Sequence, residues 1–209
     1  MKRLLIAGWL IATMACSKPA APPVVDTPPD SAAQAPPGPE AGTVTGRIEG
    51  GANATTVVVL ESKTPRTFPP STDKPVMDQA QVTFFPELLL VRTGQPVEFH
   101  NSDDTLHNVH VTHEETRTPA FNVAIPTDGS YDYTFDRDGF YRVGCDIHTA
   151  MSAAIFSWSS PYAVLAGTDG SFTFADVPAG AWTVTVYAGA RRLTQRIEVH
   201  RGVTEVTIR

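Results

Sequence analysis

Gly139-Phe-Tyr-Arg-Val-Gly-Cys-Asp-Ile-His-Thr-Ala-Met-Ser-Ala-Ala-Ile-Phe156 is the stretch on which the reading of this chain turns. It sets a thiol, an imidazole and a thioether (Cys145, His148 and Met151) on one short loop between two apolar runs. Side chains of an extended strand alternate faces, so Tyr141, Val143 and Cys145 point the same way, toward a core. The thiol is therefore expected inside, at the end of a strand.

A soft thiolate, an imidazole and a weak thioether, completed by a second imidazole, make the donor set of a blue copper centre. The second imidazole has to come from elsewhere in the chain. Asn101-Ser-Asp-Asp-Thr-Leu-His-Asn-Val-His-Val111 offers His107. Period two puts His107, Val109 and Val111 on an inward face and Asn108, His110 and Thr112 on the outward one. His110 and His113 are read as solvent-facing at a strand end, and His100 and His200 as surface residues. Asn108 and Asp146, each next to a ligand, are expected to be hydrogen-bonded across the two loops.

The pairing of Asn101…His107-Asn108-Val109 with Cys145-x-x-His148-x-x-Met151 resembles the cupredoxins, the small blue copper proteins. The close Cys-His-Met spacing is similar to the short ligand loop of amicyanin. The resemblance implies one type 1 copper, cycling between Cu(I) and Cu(II), held by His107, Cys145, His148 and a distant axial Met151. It also implies a Greek-key β-sandwich over residues 72–159 and single-electron transfer with redox proteins, a donor and an acceptor, docking near the His148 loop. No substrate turnover is expected. The ligand loop lacks the second cysteine that a binuclear centre needs, and no Ser-His-Asp order, phosphate loop or paired-carboxylate cleft stands out.

Around this segment the chain reads as β-structure throughout, because no stretch holds a sustained 3.6-residue apolar period. Thr43–Glu49 and Thr55–Glu61, joined across Gly50-Gly51, read as a β-hairpin. Thr168-Asp-Gly-Ser-Phe172 with Val177-Pro-Ala-Gly-Ala-Trp182 resembles the second half of transthyretin-type, carboxypeptidase-regulatory-like sandwiches, and Gly42–Gly46 resembles their start. A discontinuous second sandwich, 42–62 plus 160–209, is expected with the copper domain inserted in it. The whole layout is similar to bacterial periplasmic proteins labelled methylamine-utilisation or plastocyanin-like.

The first 15 residues, Lys2-Arg3 followed by a short apolar run, read as a secretory signal too short to span a membrane. Cleavage before Cys16 makes the segment resemble a bacterial lipoprotein signal, with Cys16 acylated and the protein held at a periplasmic membrane surface. Ser17–Ala41 contains eight prolines and no aromatic residue. It reads as a polyproline spacer within 16–41, reaching on the order of 75 Å. With Cys16 acylated, Cys145 has no disulfide partner, and metal ligation accounts for a lone thiol in an oxidising compartment.

The net charge is −6, and removing Lys2 and Arg3 with the signal leaves 14 cations against 22 carboxylates, or −8. An acidic surface without a Lys/Arg-rich run excludes nucleic acid as a partner. Two other roles fit the same residues: copper trafficking, or a scaffold sandwich with a vestigial site.

Overall fold

The computed structural model describes residues 41–209. The expected signal segment, the acylated Cys16 and the spacer up to residue 40 lie outside the described residues. Among the described residues there are sixteen strands and no helix, so none is long and apolar enough to cross a membrane. The all-β expectation is met.

Residues 76–158 form nine consecutive strands in two sheets. One contains β3 (Val76–Ala80), β4 (Thr83–Phe85), β6 (Pro96–Asn101) and β9 (Ser130–Thr134), in the order β4-β3-β6-β9. The other contains β5 (Leu88–Arg92), β7 (His107–His113), β8 (Pro119–Ile125), β10 (Gly139–Gly144) and β11 (Ser152–Trp158), in the order β5-β11-β10-β7-β8. Alternating residues of both sheets fill the space between them: Met77, Phe84, Val97, Phe99, Val109, Val111, Ile125, Tyr141, Val143 and Ile155 are all buried. Cys145 and Met151 belong to this same cluster. Burial here follows the period-two pattern that β-sheets with one covered face impose.

The remaining strands are β1 (Ala41–Ile48), β2 (Val57–Ser62), β12 (Ala163–Leu165), β13 (Ser171–Pro178), β14 (Gly180–Ala188), β15 (Arg191–Val199) and β16 (Gly202–Ile208). They form the sheets β13-β1-β16 and β12-β2-β14-β15. Val44, Val58, Leu60, Phe174, Trp182, Val184, Val186 and Ile208 make their shared core.

The expected hairpin between β1 and β2 does not form. β1 is occupied on both edges, by β13 and by a parallel β16, while β2 pairs with β12 and β14. Gly50 and Gly51 take left-handed φ values of 86° and 80°, and the chain leaves one sheet to enter the other. The four buried residues Val57–Leu60 explain why β2 does not alternate. Val58 and Leu60 face the core just described, whereas Val57 and Val59 pack with Leu88 of β5 and Phe156 of β11. A strand buried on both faces reads as a continuous apolar run. Phe140, Phe156, Trp158 and Tyr187 extend this contact as an aromatic cluster, with ring centroids 4.6–5.7 Å apart.

Candidate metal centre

The centre is built where β7 begins and β10 ends. Asn101, the last residue of β6, ties down the loop that delivers His107. Its amide donates to the carbonyls of Thr105 (2.8 Å) and Ile125 (2.9 Å), and its Oδ1 accepts the Asp103 N–H at 3.0 Å. His107 then enters β7 with no exposed surface. Its Nε2 lies 2.8 Å from Asp103 Oδ2. A carboxylate can only accept, so Nε2 carries the proton and Nδ1 presents its lone pair.

Asp103 is itself held by the turn between β3 and β4. It accepts the N–H groups of Val82 at 2.9 Å and Gln81 at 2.6 Å, both in the left-handed region. The Val82 N–H, then the His107 ring and the Gln81 N–H, keep its carboxyl below the ordinary range, against an opposing effect of burial.

Cys145 follows the last residue of β10 and is 4% exposed. Its amide donates to the Met151 carbonyl at 3.4 Å, and the Met151 amide donates to His148 O at 2.9 Å, so the ligand loop folds back on itself. The His148 amide points at Cys145 Sγ from 3.4 Å. Sγ lies 4.0 Å from His107 Nδ1 and 3.9 Å from His148 Nδ1. The two Nδ1 atoms are 2.9 Å apart. His107, Cys145 and His148 thus offer three donor atoms within 4.8 Å of one another. Met151, on the same loop, is 3% exposed and belongs to the same buried cluster as Cys145.

Asn108 locks this arrangement from β7. Its Oδ1 accepts the amides of Asp146 (2.7 Å) and Ile147 (3.3 Å) and lies 3.3 Å from Cys145 Sγ. Its amide donates to Asp146 Oδ2 at 3.1 Å and Asn122 Oδ1 at 2.8 Å. The expected link between Asn108 and Asp146 is present. Asn108 keeps the outward direction, sharing Asp146 with His110, yet it is buried, because the ligand loop covers that end of β7.

His113 also departs from the solvent-facing expectation. It is 6% exposed, T-packed on Tyr141 at 4.8 Å. Both its nitrogens are used, Nε2 against Asp138 O at 3.2 Å and Nδ1 by Thr116 N at 3.2 Å and Oγ1 at 3.0 Å. His110 is half-exposed on the opposite face of β7, 3.1 Å from Asp146 Oδ1. The two histidines therefore do not meet. Asp103 is the functional neighbour that the sequence alone did not single out. Its place four residues before His107 was visible, but nothing distinguished it from Asp104.

The donor set suits a soft, small cation. His107 Nδ1 has no proton to share, and it faces a second Nδ1 at 2.9 Å beside a sulfur. A metal ion satisfies all three donors at once. Two imidazoles and a thiolate select copper among first-row metals that tolerate a trigonal arrangement.

Residues 72–156 match the family described as copper binding proteins, plastocyanin/azurin family. This part of the chain is a cupredoxin. Its cofactor is copper in a type 1 site, and the buried His–Cys–His group is the place built for it. Among solved structures the cupredoxin is similar to amicyanin. A Cu(I) form of an amicyanin variant is 22% identical, covers 48% of this chain and 97% of its own, and has a TM-score of 0.37. Amicyanin from Paracoccus versutus (Thiobacillus versutus) is 19% identical, covers 48% of this chain and 96% of its own, with a TM-score of 0.37. No curated protein matches the chain.

Proposed function

We propose that this is a secreted, lipid-anchored type 1 copper protein that carries single electrons between periplasmic redox partners, without a substrate of its own. The observation that carries the reading is the convergence of His107 Nδ1, His148 Nδ1 and Cys145 Sγ in a loop already locked by Asn108. Copper supplies a one-electron couple between Cu(I) and Cu(II) when bound. The chain's part is to keep the donors where they are in both states, so that little has to rearrange. Met151 would add a weak thioether donor that helps set the potential.

The reading also requires a way in for electrons. His148 is the partly exposed ligand, and its neighbour Ile147 is 50% exposed, as Leu106 beside His107 is 48%. Together with Thr149 and Ala150 they make a small uncharged surface over the imidazole edge, where donor and acceptor dock. The strands outside the cupredoxin are assigned to a carboxypeptidase-regulatory-like sandwich, and the Pro-rich spacer is assigned to reach from the acylated Cys16 to the globular body.

The deciding experiment is optical. Cu(II)-loaded protein is expected to be intensely blue or green, to bleach with ascorbate, and to lose its colour in Cys145→Ser. A colourless complex that gives up copper to a weak chelator would point to metal delivery instead.

A further inference from the structure

We propose that a cavity where the two pairs of sheets meet binds a small organic carboxylate, anchored by Arg92. The site lies away from the metal centre, because β11 leaves the ligand loop at Ser152 and reaches this seam only at Trp158.

The cavity has a volume of about 340 Å³, a size that suits a small ligand. It is lined from both sides of the seam, by Leu90 and Arg92 of β5, Ala163 of β12, and residues of the connections 71–75 and 160–161. Gln95, 6% exposed, fixes one wall. Its amide donates to Ser71 Oγ at 3.0 Å and to the Asp73 carbonyl at 2.7 Å, and its Oε1 accepts the Arg92 N–H at 2.8 Å. The walls are therefore in place before a ligand arrives.

Donors outnumber acceptors here. Arg92 follows Leu88 and Leu90 on the face of β5 turned to the second sandwich. Its Nη2 donates to Ser159 O at 3.0 Å, and its guanidinium lies 5.9 Å from the centre of the Phe68 ring. Its Nε is buried and, among the described residues, meets no acceptor. Trp158 is paired with Arg92 in the register of β11 and β5, and its buried Nε1 is in the same condition. Buried donors in native folds are paired as a rule, so two neighbouring exceptions mark a place where an acceptor belongs. Ser71 Oγ and Ser160 Oγ each accept one bond, from Gln95 and from the Tyr162 amide, and each keeps a hydroxyl proton to give.

The acceptor that fits is an anion. Burial makes the Arg92 guanidinium less basic, and Asp138, whose charge opposes that effect, is occupied by the hydroxyls of Thr93 and Ser159. Water accepts from Nε but brings no charge to a partly desolvated cation. A carboxylate brings both, and its two oxygens match the guanidinium fork. Leu90, Pro161 and Ala163 line the rest with apolar surface, which favours a short hydrocarbon tail over a hydrated inorganic ion. Asp73 also borders the cavity, and its charge holds the affinity down.

The test titrates Cu(I)-loaded full-length protein with butyrate, followed by heteronuclear NMR. Saturable shifts are expected at the Arg92 Nε–H, the Trp158 indole N–H and the amides of 71–75 and 159–163, with none across 145–151. Butyramide, of the same shape without the charge, should give no saturable shift. Arg92→Lys keeps the charge but loses the fork, and should weaken binding about tenfold. Asp73→Asn removes the opposing charge and should tighten binding about threefold. The Asp73 variant decides the matter even where Arg92→Lys loses stability. Equal shifts with butyramide, or equal competition by inorganic phosphate or chloride, overturn the carboxylate assignment. Weaker binding in Asp73→Asn overturns the site itself, since Asp73 would then be serving as part of the binding wall and not as a repelling charge. A copper protein that is blue and redox-active but indifferent to butyrate overturns this inference and leaves the electron-carrier reading intact.

Discussion

The Nε2 atom of His107 sits 2.8 Å from Oδ2 of Asp103, a carboxylate that also receives the backbone of Gln81 and Val82. One acidic side chain therefore joins a strand-connecting turn to a copper ligand. It orients the ring, selects its tautomer and places negative charge behind it. Partners of this kind on metal-bound histidines carry about 10 to 100-fold in metal affinity.

Asp103→Asn keeps an acceptor but removes the charge. Its reduction potential, measured by protein-film voltammetry, is expected to rise, because the lost negative charge had favoured Cu(II). Asp103→Ala removes the acceptor too, and copper affinity by chelator competition is expected to drop about 10 to 100-fold. An unchanged potential in Asp103→Asn would mean that the carboxylate serves only the turn.

The same residue predicts a pH dependence for the apo-protein. Asp103 ionises more readily folded than unfolded. Its contribution to stability is thus present above the ordinary carboxylate value of about 4 and is lost as pH falls through its lower folded value. Urea denaturation should show wild type more stable than Asp103→Asn at pH 7, with the gap closing on acidification toward pH 3. A gap that widens in acid would reverse the assigned sign.

Asn108→Ala should be costly although it removes no metal ligand. It leaves the part-buried amides of Asp146 and Ile147 without their acceptor, at a cost of about 1–3 kcal/mol. We expect a loss of about 2–3 kcal/mol in chemical denaturation and faster hydrogen exchange across 145–148. Stability within half a kcal/mol of wild type would show that the loop holds its shape without this clamp.

Copper should stabilise the fold, because the unfolded chain has no converged site. At metal concentrations a thousandfold above the dissociation constant the gain is about 4 kcal/mol. Calorimetry should show this as a raised melting temperature on loading, an increment that Cys145→Ser largely abolishes while its apo-protein melts near wild type.

Phe156 is buried against Leu88, Val57 and Val59, where the two pairs of sheets meet. Phe156→Ala is expected to cost about 3–5 kcal/mol. The loss should appear in near-UV spectra of the Trp158 and Tyr187 surroundings as well as in overall denaturation. A change confined to the copper spectrum would place the residue outside that contact.

Several features were legible from residue order because they depend on local rules. Strand alternation sent His107 and Cys145 inward, and the 145–151 spacing put three donors on one loop. Alternation gives a side chain's direction and not its burial, which a second layer of structure decides. Asn108 is covered by a loop 38 residues away in the chain, and His113 is enclosed by Tyr141 and the Thr116 turn. Val57–Leu60 could have signified a hairpin strand or a doubly covered one, and only the neighbours on each side decided it.

The order of residues by itself determined the all-β character, the donor chemistry at 107, 145, 148 and 151, and the net negative charge, because composition, period and spacing are properties of the chain. The tertiary structure alone decided that β1 and β2 separate into different sheets, that Asp103 rather than Asp104 faces the His107 ring, and that Val57–Leu60 is covered on both faces. Each of these is a choice among partners distant in sequence, settled by which hydrogen bonds and apolar contacts the folded chain can satisfy together.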